Sequence, residues 1–141
     1  MNIGIDIDGV LTNIESWQNE SAAKYMYEKY NKSIINASGY DTSEIYGVTK
    51  EQDKKWWFES YEEYMKEPAR KYASEVTNKL SEEGNNLYII TARCVEKDFT
   101  TMTNELMQAG IKEWLKSNNI KYDEIHFSPE DKTTICKKLK L

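Results

Sequence analysis

The chain of 141 residues is long enough to bury one hydrophobic core. Its formal net charge of −5, from 19 basic and 24 acidic residues, gives no overall electrostatic footprint for a nucleic acid polymer. No run approaches the roughly 20 apolar residues of a membrane span, no basic region followed by a long apolar stretch opens the chain, and two cysteines, Cys94 and Cys136, are too few for a disulfide framework or a zinc site. A soluble, cytoplasmic protein in a reducing compartment is the expectation.

Residues 2–8 read as a buried strand on which Asp6 and Asp8 share one face and Ile5 and Ile7 the other. Two carboxylates that close repel each other unless a cation or a shared proton offsets them. Gly9 then allows a tight turn, with a solvated strand end as the alternative use of this segment. Thr12 or Asn13 caps a helix from about Ile14 to Tyr30, with Ile14, Trp17, Tyr25 and Met26 facing inward. A polar connection runs from Asn31 to about Val48. Thr49-Lys50-Glu51-Gln52 is a capping box that opens a helix through Trp56, Trp57 and Tyr64, and Pro68 interrupts it. A third helix is expected from Ala69 to about Glu83, ended by Gly84.

Leu87-Tyr88-Ile89-Ile90, leading into Thr91-Ala92-Arg93, reads as a second buried strand. A helix from about Thr101 to Lys116 follows, then a short third strand over Glu124–Phe127. Ser128-Pro129-Glu130-Asp131 is a helix start, and the helix runs to Leu141, ending in the basic cluster Lys137, Lys138 and Lys140. Strands alternating with helices predict an α/β fold with a mostly parallel, Rossmann-like sheet. The core takes residues 1–13 and 69–141, and residues 14–68 form a helical insertion.

Ligands of open α/β sheets bind beyond the carboxyl ends of the strands. Asp6 and Asp8 end the first strand, Thr91 ends the second, and Lys132 follows the third. An acid pair, a hydroxyl and an ammonium suit a phosphate and a divalent cation with oxygen ligands.

Asp6-Ile7-Asp8-Gly9-Val10-Leu11-Thr12 resembles the first motif of the haloacid-dehalogenase superfamily of phosphohydrolases. Ile89-Ile90-Thr91-Ala92-Arg93 resembles its second motif. Asp131-Lys132, with Ile135-Cys136-Lys137-Lys138-Leu139 after it, is similar to the lysine motif of the branch that includes nucleotidases and deoxyribonucleotidases. The resemblance spans nearly the whole chain, and the helical insertion corresponds to that branch's cap.

The resemblance implies a Mg²⁺-dependent phosphomonoester hydrolase of nucleotidase type. Asp6 would be the nucleophile, forming an aspartyl-phosphate, and Asp8 the acid and base. Both belong to the expected metal site, with Mg²⁺ bridging the Asp6 carboxylate, the Asp8 backbone carbonyl and the phosphate. Thr91 would donate to a phosphoryl oxygen, Lys132 would offset the charge crowded around Asp6 and the phosphate, and Gly9 and Ala92 complete the phosphate-binding set. The family also carries a fourth, acidic motif on a strand beyond the lysine helix. The sequence stops at Leu141, where that strand would begin, so the last core strand is expected to be missing. The Asp6 strand would then have an unpaired edge that favours a homodimer. Glu130 and Asp131 are either substitute ligands or helix-start charges.

Trp17, Trp56, Trp57, Phe58, Tyr61 and Tyr64 fall in the insertion of a chain with ten Tyr and four Trp. They form its own core or offer a ring to a nucleobase. Arg93 reaches a phosphate or the cap, or serves a structural ion pair, and His126, the lone histidine, is read as structural. The expected substrate is a small phosphorylated metabolite, a nucleoside monophosphate first. The alternatives are a phosphatase for another small metabolite, and a non-catalytic relative that keeps only phosphate and metal binding.

Overall fold

The computed structural model describes residues 1–93, 103–128 and 131–141. Three parallel strands form one sheet in the order β1 (Asn2–Ile5), β2 (Asn86–Thr91), β3 (Glu124–Phe127). Ile5 pairs in register with Ile89, and Thr91 with Phe127. Leu87, Ile89, Ile90 and Thr91 of β2 are all buried, as the continuous apolar run requires of a central parallel strand.

The helices are α1 (Ile14–Tyr30), α2 (Thr42–Tyr46), α3 (Lys50–Tyr64), α4 (Ala73–Glu82), α5 (Asn104–Ser117) and α6 (Thr133–Leu139). Helix α5 shows how sequence makes such an element. Thr103 caps it by accepting from the Leu106 amide, and Met107, Ile111, Trp114 and Leu115 make one buried stripe at helical spacing. Each such side chain contributes roughly 1.5–3 kcal/mol when fully buried.

The chain divides into two compact units. The first comprises Met1–Asn13 and, among the described residues beyond the insertion, 66–93, 103–128 and 131–141; it holds the sheet, α4, α5 and α6. Its core is Ile5, Ile7, Leu11, Leu87, Ile89, Met107, Ile111 and Leu115. The end of α6 is tied to β1: Asn2 Nδ2 donates to the Leu139 carbonyl at 2.7 Å, and the Leu141 side chain lies where a Cβ on Gly4 would come within 2.6 Å of it.

The second unit, described over Ile14–Met65, packs α1, α2 and α3 around aromatic rings. Trp17 lies 5.5 Å from Trp56 and 4.8 Å from Tyr64, centroid to centroid, and all three are buried. The capping box of α3 is formed in full: Thr49 Oγ1 accepts from the Gln52 amide, and Gln52 Oε1 from the Thr49 amide at 2.9 Å.

Four expectations need correction. The first strand stops at Ile5 rather than running to residue 8, because the chain turns at Ile7. The connection after Tyr30 contains α2, which Asp41 caps by accepting from the Glu44 amide. The helix expected from Ala69 starts at Ala73, because Ala69 bridges to Thr12 and Arg70 bonds to Leu11 instead. The last helix starts at Thr133, with Lys132 as its cap residue rather than in its first turn. Pro129 and Glu130, expected to open it, lie outside the described residues, as do Thr101 and Cys94. Among the described residues, no helix is long and apolar enough to cross a membrane.

Candidate active site

At the carboxyl end of β1 the chain stays extended through Asp6, whose Oδ1 accepts from the Ile7 amide at 2.8 Å. Ile7-Asp8-Gly9-Val10 then makes a type II turn, with Asp8 at φ −74°, ψ 120° and Gly9 at φ 78°, ψ −10°. That second central position needs a positive φ, which explains why Gly follows Asp8. Thr12 closes the loop: its amide donates to the Ile7 carbonyl at 3.0 Å and its hydroxyl to the same oxygen at 3.2 Å.

Asp6 and Asp8 each find their own cation. Asp6 Oδ2 lies 2.7 Å from Lys132 Nζ, which also donates to the Ile90 carbonyl at 3.0 Å. Asp8 is held by Arg93, whose Nη2 donates to Oδ1 at 2.6 Å and whose Nε lies 3.1 Å from both carboxylate oxygens. The expectation that both carboxylates share one strand face is therefore corrected. The turn at Ile7 takes Asp8 off the strand, and two basic residues of the chain balance the two acids in formal charge.

The two pairs differ in exposure. The Asp6 side chain is 37% exposed and that of Lys132 21%, so a ligand reaches both. The Arg93 side chain is 2% exposed while that of Asp8 is 29%. Thr91 is fully buried, and its Oγ1 accepts from the Arg93 amide at 3.2 Å, so it secures the turn that carries the guanidinium. Ala92 is half-buried beside it.

The structure thus brings Asp6, Asp8, Gly9, Thr91, Ala92, Arg93 and Lys132 to one end of the sheet. Trp17 is packed among Trp56, Trp57 and Tyr64 in the core of the second unit. Asp131 serves its own helix, accepting from the Thr133 amide at 3.0 Å and hydroxyl at 2.5 Å, and these bonds hold its carboxyl below the usual range. Glu130 lies outside the described residues. Sequence reasoning missed Arg70, whose guanidinium donates to the carbonyls of Gly9 at 3.1 Å and Thr12 at 3.0 Å. A partner 61 residues away leaves no local signal.

Among the described residues, no group of three or more His, Cys, Asp and Glu converges as a closed metal cage. Mg²⁺ is usually held by one or two carboxylates, with water and substrate phosphate filling the shell. An accessible Asp6 carboxylate beside the Asp8 backbone fits that open mode. The four side-chain charges cancel, so a phosphate dianion arriving with a divalent cation leaves the site neutral.

The fold and site define an α/β protein with a parallel three-stranded sheet and two acid–base pairs at the carboxyl end of its strands. No family model and no curated protein matches the chain.

Proposed function

We propose that the chain is a Mg²⁺-dependent phosphomonoester hydrolase of nucleotidase type, of the haloacid-dehalogenase kind, working through an aspartyl-phosphate on Asp6. The observation that carries the reading is the Asp6–Lys132 contact: an accessible carboxylate, fixed by an ammonium at 2.7 Å, at the end of a parallel strand.

A carboxylate attacking a phosphate brings anion onto anion, and positioned cations must remove the repulsion. Asp6 Oδ1 is tethered by the Ile7 amide, which orients Oδ2 toward Lys132. Lys132 has three N–H donors, of which Asp6 and Ile90 use two among the described residues. The third is the donor to a phosphoryl oxygen. In the first step an Asp6 oxygen bonds to phosphorus as the leaving oxygen departs with a proton from Asp8. In the second, Asp8 takes a proton from water, the water oxygen bonds to phosphorus, and the Asp6–phosphorus bond breaks. Mg²⁺, held by the Asp6 carboxylate and the Asp8 carbonyl, would supply charge neutralisation at the phosphoryl oxygens.

The buried Thr91 takes part through Arg93 in this reading rather than as a first contact of the substrate. Nucleoside monophosphates are the first substrates to test. A cytoplasmic setting goes with such substrates. The test is phosphate release from a nucleoside-monophosphate panel with Mg²⁺, compared with Asp6→Asn; equal release from both proteins, or none from either, rejects the reading.

A second reading, binding without turnover, is favoured by one observation: Arg93 donates to both oxygens of Asp8, the group that must carry the proton. Calorimetric titration with Mg²⁺ and phosphate separates the two, since a binding module holds the ligand and releases no product.

A further inference from the structure

Arg70 makes three hydrogen bonds to the segment that carries Asp8. Its amide donates to the Leu11 carbonyl at 2.7 Å, Nε to Thr12 at 3.0 Å, and Nη2 to Gly9 at 3.1 Å. Ala69, the residue before it, forms an isolated antiparallel bridge with Thr12 and donates to Asn118 Oδ1 at 3.1 Å. The loop Gly9–Thr12 is thereby fastened to residues 69–70, which are fastened in turn to the end of α5.

The bond to Gly9 bears most directly on chemistry. The Gly9 carbonyl follows the Asp8–Gly9 peptide, whose orientation distinguishes a type II turn from a type I turn. A positive-φ glycine has few steric limits of its own, so the turn needs an outside hold to keep one conformation. Thr12 fixes the near side at the Ile7 carbonyl, and Arg93 fixes the Asp8 side chain. Arg70 fixes the far side.

We infer that Arg70 is a positioning residue for Asp8: a guanidinium clamp on the Gly9 and Thr12 carbonyls that holds the acid–base carboxylate at its working angle. This inference rests on the proposed phosphohydrolase activity and adds to it a residue that the resemblance does not supply. Lysine, a point charge without the planar fork, cannot span both carbonyls as arginine does.

The test pairs substrates of different leaving groups in Arg70→Met and Arg70→Lys. From a nucleoside monophosphate the nucleoside departs through a basic alkoxide oxygen that needs the Asp8 proton, whereas from p-nitrophenyl phosphate a stable phenolate departs without it. Misplacing Asp8 lowers kcat/KM for the nucleotide about 10–100-fold and changes that for p-nitrophenyl phosphate little. Equal losses on both substrates, or no loss on either, overturn the inference. Amide exchange of Gly9 and Thr12 gives a reading that needs no activity. It speeds up roughly tenfold or more in Arg70→Met, while the Ile89 and Ile90 amides keep their protection; unchanged exchange at Gly9 and Thr12 overturns the clamp. A wild-type chain that releases no phosphate rejects the functional reading and, with it, the catalytic part of this inference, whereas the exchange result judges the clamp separately.

Discussion

Arg93 grips Asp8 with both ends of its guanidinium fork, Nη2 at 2.6 Å and Nε at 3.1 Å, yet the two partners are not equally buried. The Arg93 side chain is 2% exposed and that of Asp8 29%. The pair spans 85 residues of sequence and ties the turn after β1 to the turn after β2.

That asymmetry predicts unequal costs for removing either partner. Asp8→Ala takes a carboxylate partner from a guanidinium that stays buried, at a cost of about 2–3 kcal/mol. Arg93→Met removes the buried charge and leaves a carboxylate that water reaches, at about 1–2 kcal/mol. Urea denaturation of the two variants checks the order, and a larger loss in Arg93→Met contradicts it.

The Asp6–Lys132 pair is more exposed and predicts the opposite division between stability and activity. Lys132→Met costs less than about 1 kcal/mol of stability. On the proposed mechanism its effect on turnover is larger, about 10²–10³-fold in kcat, because the lost cation would face the charge that develops at phosphorus. Steady-state kinetics beside a thermal melt measures both.

Gly9 occupies the one position of the type II turn that requires φ near +78°. Gly9→Ala is expected to cost about 1–2 kcal/mol through backbone strain, because an L side chain rarely adopts that positive φ. A melt that matches the wild type contradicts this.

In the second unit, two neighbouring carboxylates predict pH effects of opposite sign. Hydrogen bonds from Lys50 and Ser43 hold the Asp41 carboxyl down to about 2. Its contribution to stability is complete above the ordinary carboxyl value and is lost as pH falls through that depressed value. Burial pushes Asp53 above its usual range despite the hydrogen bond from Thr42. Ionised Asp53 therefore subtracts stability at neutral pH, and the deficit disappears as pH falls through the raised value. Asp41→Asn is expected to melt below the wild type at about pH 7 and Asp53→Asn above it, with both differences shrinking towards about pH 3. Melting curves across that range decide it.

Much of the fold was legible because its signals are local. Thr49-Lys50-Glu51-Gln52 announced a capping box that is formed, and the run Leu87–Ile90 announced a strand that is buried. The boundaries that shifted did so for tertiary reasons. Ala69 and Arg70 have helical company on their C-terminal side, but Thr12 and Leu11 claim their backbone. At the site, the acid pair was legible from its spacing, and so were a cation for Asp6 at Lys132 and an ion pair as one use of Arg93. That the partner of Arg93 is Asp8 was not legible, because the two lie 85 residues apart and only folding joins them. Trp17 shows that the aromatic cluster of the second unit forms a core of its own, as one of the two sequence readings had it.

The central claim is that Asp6 takes the phosphoryl group. Its most direct test is acid quenching during turnover of a nucleoside monophosphate with Mg²⁺, followed by borohydride reduction and peptide mass analysis. An aspartyl-phosphate on Asp6 is reduced to homoserine, so the N-terminal peptide of the wild type carries homoserine at position 6, and that of Asp6→Asn does not. Substrate turnover with Asp6 recovered unmodified, or with the label at another carboxylate, contradicts the account.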